Sequence, residues 1–306
     1  MVLTASCRVA RVMLLAGLIA ASILPLSTTS ARSPARQAAA IACDRGAMVS
    51  PSPVATPLPA TTALNATFTA GEVTIFAAAS LTDAFTRLAD DLEAVTPGLT
   101  LTFNFAGSQT LVTQLAEGAP ADLFASADER QMAAAIANGS ITGPPVTFAH
   151  NRLVIVVPSD NPAQISQAAD LANDELRLVL AQAEVPAGRY ARASLCAMGH
   201  DAASYGDQFV ARVSENLVSE EEDVRAVLAK VQLGEADAGI VYLSDLTSAG
   251  EAVEAIQIPD PVNVRATYQI GVVAGGHEAQ AEAFIAAVTS PNGQAILSGF
   301  GLEPVA

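Results

Sequence analysis

The chain has 306 residues, 51% of them apolar, only 15% charged and none tryptophan, which fits an alanine-rich α/β protein and excludes a disordered or coiled-coil chain. Its formal net charge is −16, and from Gly71 onward ten Lys and Arg stand against thirty Asp and Glu, with Lys230 the sole lysine. So acidic a field excludes nucleic acid and anionic membrane as partners, and an anionic ligand would have to be held by short-range, well-aimed donors.

In chain order, the N-terminus reads as an export signal. Arg8 and Arg11 are followed by the apolar run "VMLLAGLIAASILPL" and by "STTSA", which offers cleavage near Ala31. The run is shorter than the ~20 residues of a membrane-spanning helix. Residues 1–31 are therefore expected to be a removable leader, and the remainder to lie in the periplasm or at the outer face of the cytoplasmic membrane. Residues 32–70 include "SPSPVATPLPATTALNATFTA", rich in Pro, Thr, Ser and Ala, and read as a disordered tether without a core of its own. Cys43 and Cys196 remain beyond the leader, and two cysteines do not make a disulfide framework. "AAIAC" ending at Cys43 faintly resembles the small-residue motif before a lipidated cysteine, yet it lacks the leucine and lies far beyond the apolar run. Plain secretion is the expectation, with a lipid anchor at Cys43 as the alternative.

Globular sequence begins near Gly71. "VTIFAA" reads as a strand and "LTDAFTRLADDLEAVTPG" as a helix with Leu81, Phe85, Leu88 and Leu92 on one face. "LTLTFNFAG" is strand, "SQTLVTQLAEG" helix, "ADLFASA" strand and "DERQMAAAIANG" helix with Asp128 as its N-cap. "RLVIVVP" is strand. The second half gives "LRLVLAQ" strand, "GRYARASLCAMG" and "EEDVRAVLAKVQLG" helices, and "AGIVYLSD" and "VEAIQIP" strands. "VRATYQIGVVAGG" follows, then "EAQAEAFIAAVTS" and "GQAILSGFG" as terminal helices. Alternation of this kind predicts an α/β protein of two lobes, each a mostly parallel sheet with flanking helices. Lobe 1 is expected over 71–153 and 265–306 and lobe 2 over 154–264, with a ligand cleft between them.

Ser80 ends one strand and Ser108 the next, each opening a helix, and Asp83 three residues after Ser80 completes a Ser-x-x-acid capping pattern. Two parallel strands bring both serines to one rim, where helix N-termini with free N–H groups form an anion cradle without positive charge. Taken singly, each serine is an ordinary helix cap. Pro186-Ala187-Gly188 opens a further helix with small residues that let a ligand approach the backbone. Glu221, Glu222 and Asp223 read as an acidic helix start, with Glu221 placed to pair with Arg225. Tyr242 ends an apolar strand with a hydroxyl that donates into a cleft or covers the core rim.

An enzyme is not expected. No nucleophile elbow, phosphate loop or dinucleotide fingerprint is present, and His150, His200 and His277 fall in separate loops. Cys196 and His200, at i,i+4 with Met198 between them, do not fill a metal site.

"FAAASL", "FAGSQTL", "GAPADLFASAD", "VPAGRYA", "EDVRAVLAKVQLGEADAGIVY" and "SPNGQAILSGFG", in this order, resemble the periplasmic molybdate-binding proteins of ABC importers. The resemblance covers about residues 72 to 304. It implies a two-lobed, type II periplasmic-binding-protein fold that binds molybdate, and tungstate with it, and hands the oxyanion to an ABC permease as a monomer, with no cofactor and no catalytic residue. It implies Ser80 and Ser108 as hydroxyl and backbone donors, Ala187 and Val224 as backbone N–H donors and Tyr242 as a phenol donor. Molybdenum would thus be held only as its oxyanion, with no direct metal ligand. Gly107-Ser108-Gln109 departs from the serine run of many relatives. A sulfate-type binder of the same fold and an exported serine hydrolase are the rival readings.

Overall fold

Val73, Ile75, Phe76, Ala77 and Ala78 are all buried, as they must be in a strand flanked by two others and covered on both faces. A computed structural model describes residues 40–43 and 68–305, so the expected leader and most of the expected tether lie outside the described residues. From Gly71 the order is β1 (Gly71–Ala78), α1 (Thr82–Val95), β2 (Leu99–Ala106), α2 (Ser108–Ala116), β3 (Leu123–Ser126), α3 (Glu129–Ala137) and β4 (Ile141–Asn151). The chain then crosses into β5 (Leu153–Pro158), β6 (Leu178–Ala181), α4 (Pro186–His200), α5 (Ala202–Tyr205) and α6 (Phe209–Asn216). Next come β7 (Leu217–Glu221), α7 (Val224–Gln232), β8 (Ala238–Tyr242), α8 (Leu246–Ala249) and β9 (Val253–Gln257). It returns through β10 (Ala266–Val273), α9 (Glu278–Thr289), α10 (Pro291–Gly299) and β11 (Glu303–Pro304).

Two sheets result, one of six strands in the order β11-β4-β10-β3-β1-β2 and one of five in the order β7-β6-β8-β5-β9. Each is the centre of a lobe, and the lobes are joined where β4 passes into β5 through Arg152 and where β9 passes into β10. The sheets are mixed. β1 is parallel to β2 and β3, and β6 to β7 and β8, whereas β10 is antiparallel to β3 and β4, and β5 to β8 and β9. Parallel neighbours need a crossover helix. β5 and β10 enter their sheets directly from the crossings and so run against them.

Three strands escape the sequence patterns, β4, β7 and the two-residue β11. β4 carries Pro144-Pro145, residues that a central strand rarely accepts; its pairing with β10 shifts register between Ile270 and Val272, so the prolines fall at an irregularity where no ladder donor is demanded. β7 ends in Glu221, expected in a helix start. It pairs with β6 instead, from Leu178↔Leu217 to Ala181↔Glu221, and α7 begins three residues later under Asp223, whose side chain accepts from Ala226 N. Glu221 therefore pairs with Lys230 at 2.8 Å and not with Arg225.

Part of the expected tether is packed. Ile41 is buried against the second lobe, its N–H donating to Ser214 Oγ of α6 at 3.1 Å, and Cys43 is disulfide-bonded to Cys196 of α4, with Cα atoms 5.4 Å apart. Phe68 is buried too, and Thr69 bonds Gln280 of α9 in the first lobe. The disulfide corrects the readings of both cysteines: neither sulfur is free for a lipid thioether or for a metal. Their separation of 153 residues gave no local signal. Peptide mapping without reductant should recover Cys43 and Cys196 in one cross-linked species, and Cys43→Ser should lower stability to urea by about 2–4 kcal/mol.

Candidate functional site

The parallel register of β1 and β2 places Ala78 opposite Ala106, so the turns that follow lie side by side on one rim. Ser80 stands in the first turn and Ser108 in the second. In the other lobe β6, β7 and β8 are likewise in parallel register, and their ends lead to Ala187 in the first turn of α4, Val224 at the start of α7 and Tyr242 at the end of β8. The two rims face each other. All five residues border one narrow cavity of ≈ 10 Å³, together with Ala78, Ala79, Gly107 and Asp223. Three α-helix N-termini, those of α2, α4 and α7, open on it, each with first-turn N–H groups that have no partner within the helix.

Close backbone approach shapes this space. Arg192 Nη1 donates to the carbonyls of Ala181 and Gly188 at 2.7 and 2.9 Å, seating the start of α4 on the end of β6. A Cβ at Gly188 would lie 2.0 Å from the Gln182 carbonyl oxygen. One at Gly107 would lie 2.6 Å from the carbonyl oxygen of Glu222, across the cleft, so only glycine lets the lobes meet there. They are joined nearby by Gln109 Nε2 to Glu222 O at 2.9 Å and Gln131 Nε2 to Glu184 O at 3.0 Å.

Neither serine caps its helix. Ser80 lies in a 3-10 turn, Ala79–Leu81, and the α1 cap position is Leu81; at α2 the cap position is Gly107 and Ser108 is already helical. Tertiary partners take the hydroxyls. Ser108 Oγ accepts from Ala127 N at 3.1 Å, which leaves its own hydrogen free. Ser80 Oγ is 2.8 Å from Tyr268 OH, and Asn151 Nδ2 donates to that phenol at 3.3 Å and to Ser244 Oγ at 2.9 Å. A proton from Tyr268 to Ser80 completes the chain and again leaves the serine hydrogen free to point forward.

Tyr242 is fully buried, and its hydroxyl, at the cavity, has no hydrogen-bond partner. Burial, and then the neighbouring Tyr268, push its pKa well above 10, so it stays a neutral donor. Sequence patterns missed Tyr268, Asn151, Ser244 and Asp245. Only a phenol on a strand that must be buried marks Tyr268 as needing a partner. Asp245 is also buried, and accepts from the N–H of Tyr242 at 3.0 Å. Cys196, His200 and the other two histidines lie away from the cavity, and no histidine borders it. A larger space of ≈ 470 Å³ opens elsewhere on the first lobe, beside Glu72, Asp122 and His277, where the Asp122 carboxylate is taken up by Thr74 N and by His277.

Two lobes hinged at two crossings, with neutral donors converging from both, define a binding protein that closes on its ligand. The chain belongs to the bacterial extracellular solute-binding proteins, a family that matches residues 73–303, and it is accordingly an exported binding protein rather than an enzyme. It is 40% identical over 245 residues to the molybdate-binding protein ModA of Mycobacterium tuberculosis, covering 79% of this chain and 89% of the relative. Its fold is shared by the periplasmic molybdate-binding protein of Azotobacter vinelandii, with TM-score 0.66 and 21% identity over 76% of this chain and all of the other. It is shared as well by the sulfate-binding protein SubI of M. tuberculosis, with TM-score 0.67 and 19% identity over 76% of this chain and 87% of the other.

Asp245 gives the site a pH signature. Burial raises its carboxyl from 3.8 to about 6, against the pull of the Arg225 charge. A carboxyl with a raised folded value binds its proton more tightly when folded, so its contribution is complete below about pH 4 and is lost as pH rises through about 6. Urea unfolding should show wild type losing on the order of 2–3 kcal/mol relative to Asp245→Asn between pH 4 and pH 7.

Proposed function

We propose that the cleft binds molybdate, and tungstate with it, and that the chain delivers the oxyanion to an ABC importer in the cytoplasmic membrane as a monomer. The observation that carries this reading is the convergence of Ser80, Ser108, Ala187, Val224 and Tyr242 on one cavity, in a chain 40% identical to a molybdate-binding protein. The two hydroxyls accept from behind and donate forward, the phenol is an unused donor, and the backbone of Ala187 and Val224 adds first-turn N–H groups.

A site made of donors suits an anion with no proton left to give. Molybdate is such a dianion at neutral pH, and each of these hydroxyls can turn its hydrogen toward it. Hydrogen bonds to a charged group contribute about 1.5–3 kcal/mol each, so a handful of neutral donors holds the ligand without a cation. Helix N-termini add favourable potential. Because the contacts come from both lobes, the ligand favours the closed arrangement, and opening at the crossings releases it. The sulfate-binding neighbour shares the fold alone at 19% identity, which leaves sulfate as the second ligand to be measured.

Thermal unfolding tests the ligand: molybdate or tungstate at a hundred times its Kd should add about 2.7 kcal/mol of stability, and sulfate at the same concentration much less. Stabilisation by sulfate alone would overturn the reading. Ser80→Ala and Ser108→Ala should each weaken molybdate binding by about tenfold to a hundredfold in calorimetry. Ser108→Ala should also cost about 1–3 kcal/mol of ligand-free stability, because it strands the buried Ala127 N–H.

A further inference from the structure

Besides Arg152–Asp260 at the crossings themselves, two ion pairs join the lobes beside the cavity. Arg225, next to Val224, reaches Asp83 of the first lobe, three residues beyond Ser80, with Nη2 to Oδ2 at 2.6 Å. Arg189, two residues beyond Ala187, reaches Asp128 of the first lobe with Nη2 and Nε at 2.9 and 3.1 Å from Oδ2. Asp128 follows Ala127, whose N–H holds Ser108. Neither arginine borders the cavity.

Three of the four groups have a further partner in their own lobe, and the fourth, Asp83, is placed by the first turn of α1. The Arg225 Nε is 2.9 Å from Asp245 Oδ1, and its Nη1 donates to Ser248 Oγ, both in the second lobe. The Arg189 guanidinium lies 4.4 Å from the centroid of the neighbouring Tyr190 ring. Asp128 caps α3 through Oδ1 to Gln131 N at 2.7 Å, leaving Oδ2 for Arg189, and Asp83 is fixed in the first turn of α1. Closure therefore joins preset partners and orders little that was loose. Both arginine side chains are largely covered, 22% and 23% exposed, so solvent screens these pairs less than free surface charges. In a globular part with ten cations, two are spent across the cleft.

We propose that Asp83–Arg225 and Asp128–Arg189 are paired latches that position the donor-bearing turns against each other and set how long the bound oxyanion is retained. The proposal rests on the reading of the cleft as an oxyanion site. The pairs form only as the lobes close, so they act on release and not on first encounter, which the open lobes make without them. The ligand needs no cation in its shell, because the cations bind the protein to itself around it.

Asp83→Asn and Arg189→Gln test this cleanly, since the first leaves the Arg225–Asp245 pair intact and the second leaves Asp128 as the α3 cap. The measurements are the association and dissociation rates of radiolabelled molybdate, ligand-free thermal unfolding, and the radius of gyration by small-angle X-ray scattering with and without molybdate. Each variant should speed dissociation by about fivefold and the double variant by more, with association within about twofold of wild type. Ligand-free melting should fall only slightly, and the ligand-free double variant, whose lobes are no longer drawn together, should be more expanded than wild type. Unchanged dissociation, or an effect confined to association or to ligand-free melting, would overturn the latches. Wild type that binds no oxyanion would instead overturn the site reading, and the ligand-free scattering comparison alone would then decide the latches: equal dimensions refute them.

Discussion

The structure is organised by a cleft that gathers N–H and O–H donors and no cation in a protein that is itself strongly acidic. Charge attraction at a distance is unavailable, because the surface repels an anion and salt screens what remains beyond ~8 Å. Recognition has to be made at contact, by N–H and O–H groups aimed before the ligand arrives. Parallel strands with crossover helices supply such groups in quantity, since every strand end on one rim leads to a helix N-terminus with unspent donors. The parallel portions of the two mixed sheets are the portions that bear Ser80, Ser108, Ala187, Val224 and Tyr242. The antiparallel portions carry the crossings.

Much of the fold was legible because period and punctuation agree. β1 to α3 alternate in sequence as they do in space, and Asp128 caps α3 as its position indicates. What failed was local pattern overruled by tertiary partners. Ser80 and Asp83 spell a capping box, yet the hydroxyl goes to Tyr268 and the carboxylate to Arg225, residues 188 and 142 positions away. Glu221, Glu222 and Asp223 spell a helix start, yet β6 needed an edge partner and drew Glu221 into its strand. Pro144-Pro145 hid β4 because a register shift, invisible in sequence, removed the demand for their missing donors.

The site shows the same division. Each of the five cavity residues has a recognisable local setting, a strand end or a first helical turn, and the family resemblance selects them as a set. Tyr268, Asn151, Ser244 and Asp245, which orient that set, have no such setting, because their role consists of where other strands bring them. The pairs across the cleft are similarly silent in sequence: Asp83 and Arg225 look like solvated helix charges until the lobes meet.

The disulfide between Cys43 and Cys196 has a mechanical meaning. The chain runs from Cys43 to Phe68 in the first lobe, through that lobe and back into α4, so the bond closes a ring that contains the β4–β5 crossing. Tension applied to the chain ahead of Cys43 enters the second lobe directly at α4, and neither the ring nor the crossings carry it. A protein held by its N-terminal stretch would be loaded through one lobe only, with the other free to swing on its hinge.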